Sequence, residues 1–292
     1  MKSKHLLSGI AFMAFASSVF LIACNKSSSA ENPSGSQNVS LFMTDGPGLF
    51  DNVYLDIKDV KVLVDTSSNT RVHDSCDYDR MGDREHHQPD SFFVWQDLNV
   101  KAGVYDLLQL RNGTDTLLAA ANIKAGAIRM IRIDLGTNNS LVKDSVSYPL
   151  NLLPNAPSYV IIKLRGDEWE HHAPNSYRLW LDFDVQRSVI KLMDNKFYLR
   201  PFIKAFVVDK SGTVQGNVLP LDASPAIVTV YNSTDTAYGI TSRGGMFKLR
   251  GLKDGTYNVF LNPSNGYKDT TITNVTISNA STVSLGSVTL HK

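Results

Sequence analysis

From Val39 onward the chain is a succession of short segments that alternate apolar and polar residues, cut apart by Gly, Pro, Asn and Asp. A period of two puts one face of a segment in a core and the other in water, which describes a strand and not a helix. Val39-Ser-Leu-Phe-Met43 alternates and ends at the turn Asp45-Gly46-Pro47-Gly48. Val53-Tyr-Leu-Asp-Ile57 alternates again, and Val60-Lys-Val-Leu-Val64 follows. Phe92 to Leu98, Ile128 to Leu135, Tyr159 to Leu164, Tyr177 to Val185 and Tyr198 to Val208 read the same way. A helix competes only from Asp106 to Ala121, and Asn112-Gly113 breaks that stretch in two. The expectation is an all-β chain of sandwich or barrel type.

A second unit starts near Lys210. Glycines 212, 216, 244, 245, 251 and 255 punctuate strands expected at Thr213 to Val218, Ile227 to Tyr231, Phe247 to Arg250 and Tyr257 to Leu261. Val283 to Leu290 alternates cleanly and suits a sheet edge. About 80 residues of this kind fit one small Greek-key sandwich. A composition with 42% apolar residues can supply two such cores. Two cysteines, Cys24 and Cys76, provide no disulfide framework once Cys24 is otherwise used.

The N-terminus reads differently. Lys2 and Lys4 precede an apolar run from Leu6 to Ile22, which ends in Leu21-Ile22-Ala23-Cys24. A basic start, an apolar stretch and small residues before a break make a secretory signal. The Leu-x-Ala-Cys ending resembles the lipobox of bacterial lipoproteins, whose cysteine becomes the acylated first residue of the mature chain. That resemblance implies a signal over 1–23, lipid attachment at Cys24, and anchoring by several acyl chains. It also implies a cell-envelope setting, expected to be the outer membrane of a Gram-negative bacterium. Residues 24–37 carry no large apolar side chain and read as a flexible acylated leash. Without Lys2 and Lys4 the chain has 27 basic against 28 acidic side chains. Such a chain has no basic stripe to track a phosphate backbone, so no nucleic acid is expected as partner.

Two family resemblances refine this reading. Residues 38–209 contain Met43-Thr-Asp45-x-Pro47, Val53-Tyr-Leu-Asp56-Ile57-Lys58-x-Val60 and Tyr105-Asp-Leu107-Leu108-x-Leu110-x-Asn112-Gly113. Ala125-Gly126-x-Ile128-x-x-Ile131-Arg132, Leu181-Asp182-Phe183-Asp184-x-x-Arg187-Ser188-Val189 and Leu199-Arg-Pro201-Phe-Ile203 follow. This region resembles the bacterial and archaeal domain of unknown function 4382, departing from it at Ala127, where an aromatic is usual. The resemblance implies a fold and a cell-surface setting rather than a reaction. Residues 210–292 carry Gly244-Gly245-Met246-Phe247-Lys-Leu249 and Leu252-x-x-Gly255-x-Tyr257-x-Val259. They resemble the carboxypeptidase regulatory-like, transthyretin-like sandwich. That likeness implies a tight hairpin at Gly255, with Phe247 and Tyr257 filling the core from opposing strands. The architecture expected is therefore two Ig-like or transthyretin-like β-sandwiches on a lipid leash.

An internal echo carries the candidate chemistry. Residues 85–100 and 170–185 agree at half of sixteen positions, each running Glu-His-His-x-Pro-x-Ser and then Trp-x-Asp. Each copy reads as a polar loop entering a strand, with Trp95 beside Asp97, and Trp180 beside Asp182, on one strand face. Imidazoles and carboxylates from both loops, Glu85, His86, His87, Glu170, His171 and His172, suit zinc or another divalent metal if the loops meet. Trp169, Trp95 and Trp180 near carboxylates suit stacking on sugars; the plain alternative places Trp95 and Trp180 in a core. Asp77-x-Asp79-x-x-Gly82-Asp83 lacks the spacing of a full calcium loop. No Gly-x-Ser-x-Gly, phosphate-binding glycine loop or Ser-x-x-Lys occurs. The chain reads as a non-catalytic binding or scaffold module for a polysaccharide or another envelope protein, with a metal-binding lipoprotein as alternative and a hydrolase third.

Overall fold

The computed structural model describes residues 35–46, 48–66, 92–164, 175–192 and 196–292, and the backbone alone at 170–173. Cys24, Cys76, Glu85, His86, His87 and Trp169 lie outside these residues, as do most of the leash and the Asp77–Asp83 segment. All described residues belong to one compact unit, Asn32–Lys292.

The fold is all-β, built from packed sheets. Its first part contains β1 (Ser36–Asp45), β2 (Asn52–Asp65), β3 (Phe93–Asp97), β4 (Gly103–Asp106), β5 (Thr116–Lys124), β6 (Ala127–Leu135) and β7 (Ser140–Lys143). It continues with β8 (Val146–Leu152), β9 (Tyr159–Lys163), β10 (Glu170–Ala173), β11 (Ser176–Phe183), β12 (Val189–Lys191), β13 (Phe197–Leu199) and β14 (Ile203–Phe206). One sheet runs β10-β11-β1-β5, with β14 also on β11; the other runs β12-β13-β8-β7-β2-β6-β9, with β3 and β4 also on β2. The alternation seen in sequence supplies the core between them. Val39, Leu41 and Met43 from β1, Leu179, Leu181 and Phe183 from β11, and Val60, Val62 and Val64 from β2 are all buried there.

The second part holds β15 (Gly212–Leu219), β16 (Ile227–Tyr231), β17 (Thr236–Ile240), β18 (Met246–Leu252), β19 (Gly255–Asn262), β20 (Thr270–Ile277) and β21 (Thr282–Thr289). A sheet β18-β15-β21 faces a sheet β17-β16-β19-β20, with a separate apolar cluster from Val214 to Leu290 between them. Phe247 from one sheet and Tyr257 from the other are nearly inaccessible in that cluster.

Several expectations change in detail. The two alternating segments at 53–57 and 60–64 form one strand, β2, whose pairing with β6 shifts register between Ile57 and Asp59. The stretch open to a helical reading gives one 3₁₀ turn, Leu107–Leu110, capped by the Asp106 carboxylate, which accepts from the Leu108 amide at 3.2 Å. Its alanine-rich half is strand β5, because β1 offers a full ladder of partners from Ser36 to Met43. The expected strand 198–208 splits at Arg200-Pro201-Phe202, and β13 and β14 belong to different sheets. Pro201 has no N–H to give a ladder, so the break falls where pairing would fail. Gly255 does not sit in a hairpin. β18 and β19 lie in different sheets, so its short connection crosses the sandwich.

A candidate binding cleft at the junction of the two sandwiches

The register of the five-stranded sheet explains what its outer face carries. Phe42 lies opposite Trp180, and Trp180 opposite Phe206, so three neighbouring strands present an aromatic row. Phe42 stacks on Trp180 with centroids 5.0 Å apart, and Phe206 tilts against the indole at 6.5 Å. Two residues on, Thr44, Asp182 and Lys204 form a polar row by the same pairing. These rows face away from the core that Leu179, Leu181 and Phe183 enter.

The second sandwich sits on that face. Arg250 of β18 donates from both terminal nitrogens to one oxygen of Asp115, each at 3.1 Å. The Trp180 indole donates to the same oxygen at 3.0 Å. Lys204 Nζ lies 2.8 Å from Asp235 of the second sandwich. That carboxylate also accepts from the Lys253 amide and the Tyr257 hydroxyl. Gly251, at φ +76°, comes so close to Phe206 that a Cβ would stand 2.9 Å from the ring. Glycine is needed there both for the left-handed backbone and for the space.

Beside these contacts a cleft of about 710 Å³ opens between the two sandwiches. Arg111, Lys143 and Asp51 line it from the first sandwich and Arg243 from the second, around apolar Leu49 and Ile240. Mixed charges over apolar ground suit a ligand with many hydroxyls.

A group of carboxylates lies deeper in the junction. Asp184 caps the short helix α1 (Val185–Ser188), accepting from the Arg187 amide at 3.0 Å, and burial raises it above its usual range. Asp182 keeps some access to solvent, yet the dense protein around it pushes it up to about 6. The Asp184 charge adds to this rise, against the pull of Lys204 and Arg250. Asp45 is driven well above the carboxylate range, first by burial and then by Asp182, although Arg111 and the Val185 amide draw it down. Neither Asp45 oxygen has a hydrogen-bond partner of good geometry, so burial prevails over these two attractions.

The residues singled out in the sequence divide as follows. Trp180 is packed in the aromatic row and only 8% exposed, so it has no open face for a sugar. Trp95 is 40% exposed on β3, where it lies opposite Leu63, and its neighbour Asp97 pairs with Lys61 at 3.3 Å. Glu170, His171 and His172 belong to strand β10 rather than to a loop, paired with β11 around a turn at Asn175. Among the described residues no three His, Cys, Asp or Glu side chains gather for a metal, and no helix is long and apolar enough to cross a membrane. Sequence reading missed the junction itself. The Trp180-x-Asp182 pattern was its visible part, but what covers that face depends on residues seventy positions away.

A family model described as "Domain of unknown function (DUF4382)" matches residues 36–201, more than half of the chain. The chain belongs to this family. No curated protein matches this DUF4382 chain. Among solved structures it is similar to a type II cohesin–X-dockerin complex from Acetivibrio cellulolyticus, at 22% identity and a TM-score of 0.23. That match covers 27% of this chain and 56% of the other, so it spans little more than half of the relative's length. It is also similar to the shaft pilin SpaA from Lactobacillus rhamnosus GG, at 10% identity over 88% of this chain and 98% of the other, with a TM-score of 0.23. The minor pilin GBS52 of Streptococcus agalactiae gives 11% identity, 86% and 94% coverage, and a TM-score of 0.21. At these scores the likenesses carry no argument about function.

Proposed function

We propose that this DUF4382 protein is a non-catalytic binding module of the cell envelope, lipid-anchored through Cys24, with a polysaccharide segment as ligand. The observation that carries the reading is the open cleft between the two sandwiches, lined by cations and carboxylates together with the apolar Leu49 and Ile240. Sugar hydroxyls are addressed by such planar charged groups, and the apolar patch receives the ring face. The lipobox-like Leu-x-Ala-Cys24 supports the anchor. The second sandwich, with its carboxypeptidase regulatory-like pattern, then serves as one wall of the site as well as a spacer.

The experiment is a polysaccharide screen on the full chain, with Arg243→Ala and Trp169→Ala beside the wild type. Binding that Arg243→Ala weakens at least tenfold, and that Trp169→Ala leaves alone, is the expected result. Loss with Trp169→Ala only would move the ligand away from the cleft, and no binding to any polysaccharide would defeat the glycan reading. Labelling with palmitate in cells, lost on Cys24→Ser, tests the anchor separately.

A further inference from the structure

Four arginines of the protein have a carboxylate for a partner: Arg129 with Asp65, Arg132 with Asp134, Arg187 with Asp184 and Arg250 with Asp115. The two that line the cleft, Arg111 and Arg243, make no ion pair with any described carboxylate, and neither does Lys143 beside them. Arg111 is held at one end, where its Nε donates to the Leu108 carbonyl at 2.8 Å, which leaves its terminal nitrogens for another acceptor. Its charge reaches the buried Asp45, but no hydrogen bond joins them. Arg243 stands exposed on the other wall, in the connection between β17 and β18.

The carboxylates of the cleft do not answer these two groups. Asp51 and Asp144 both lie at the β7–β8 turn, where Asp51 accepts from the Ser145 amide at 2.9 Å and Asp144 turns the chain at φ 52°. Lys143 at the same turn offsets part of their charge, and in the whole cleft cations outnumber carboxylates three to two. A guanidinium holds its N–H donors in one plane, and it binds a charged group with several oxygens more strongly than a neutral hydroxyl. A neutral sugar would leave both positive charges unmatched.

We propose that the ligand of this cleft is an anionic glycan, whose uronate carboxylates or sulfate esters are bound by Arg111 and Arg243. The inference rests on the glycan reading above and adds the charge class of the ligand. Leu49, 60% exposed in the same cleft, gives a sugar ring an apolar surface between the acid groups. The volume of about 710 Å³ lies within the usual span of ligand sites, about 300–1,000 Å³. Since one arginine belongs to each sandwich, the bound segment touches both.

The test titrates the full chain with polygalacturonate, with its fully methyl-esterified form, and with dextran sulfate beside plain dextran. Binding at least tenfold tighter to a charged polymer than to its neutral counterpart is expected, and the pair that shows it tells carboxylate from sulfate. Raising NaCl from about 0.15 M to about 1 M, where charges are screened within about 3 Å, should weaken that binding at least tenfold. Arg111→Met and Arg243→Ala should each abolish the preference for the charged polymer; Arg243 is exposed, so its variant keeps the fold, and thermal melting checks both. Equal binding of charged and neutral polymers overturns the inference and leaves the glycan reading standing. Binding of poly-glutamate as tight as that of the best polysaccharide also overturns it, by making the cleft a plain anion site. No binding to any of the four polysaccharides removes the glycan reading and this inference together.

Discussion

Asp115→Ala removes the one carboxylate oxygen on which three N–H donors from two sandwiches converge. Arg250 contributes two of them at 3.1 Å and Trp180 the third at 3.0 Å. The Arg250 side chain is 12% exposed and Asp115 30%, so the pair is mostly but not wholly out of water. Breaking a fully buried pair costs about 3–5 kcal/mol, most of it from the charge left behind. Partial access of water to Asp115 lowers that to about 2–3 kcal/mol, with the orphaned indole N–H included. In a chain of this size each kcal/mol moves the midpoint by about 2–4 °C, so a fall of about 5–10 °C is expected. Differential scanning calorimetry of the variant, of Arg250→Met and of the double variant measures it. The double variant should cost less than the sum of the singles by more than 1 kcal/mol, because both single changes remove the same two Arg250–Asp115 bonds. With the junction weakened, the two apolar clusters should also begin to melt apart, as two resolved transitions. A loss under 0.5 kcal/mol for Asp115→Ala, or strict additivity, would refute the reasoning.

Two further outcomes follow from the same junction. Burial pushes Asp235 upward, but Lys204, the Lys253 amide and the Tyr257 hydroxyl outweigh it and hold the carboxyl below its ordinary value. A folded value below the unfolded one gives stability that is present above the unfolded pKa of about 4 and is lost as pH falls through the folded value. Asp235→Asn should therefore lower the melting temperature at pH 7 and change it much less at pH 3; an equal deficit at both would remove the charge from the explanation. Gly251→Ala puts a methyl 2.9 Å from the Phe206 ring on a backbone at φ +76°, so denaturant unfolding should show a loss of about 1–3 kcal/mol. An unchanged midpoint would mean that the junction gives way freely at this point.

Much of the fold was legible because strands advertise themselves through alternation. Val39, Leu41 and Met43 had to face a core, and they do. β5 was not legible, since Ala119 to Ala121 carry no strand preference and only the neighbouring β1 decides their state. The hairpin of β7 and β8 was missed because β7 is only four residues long and Pro149 within β8 argues against a strand; Asp144 and Ser145 turn it with positive φ values of 52° and 63°. At the candidate site, the face shared by Trp180 and Asp182 could be read from spacing. That Trp180 would be covered while Trp95 stays 40% exposed could not, because the same short pattern sits under a second sandwich in one place only. The isolation of Asp45 was equally invisible, for it depends on which donors other elements fail to bring.

The placement of β1 has a mechanical consequence. From Asn38 to Asp45 every residue is paired to β11, which runs in the same direction, and from Ser36 to Met43 the strand is also laddered to β5. A pull on the chain from its N-terminal side therefore loads both ladders along their length. The bonds are sheared together instead of being peeled one at a time, so the strand nearest any tether is also the one best placed to resist tension.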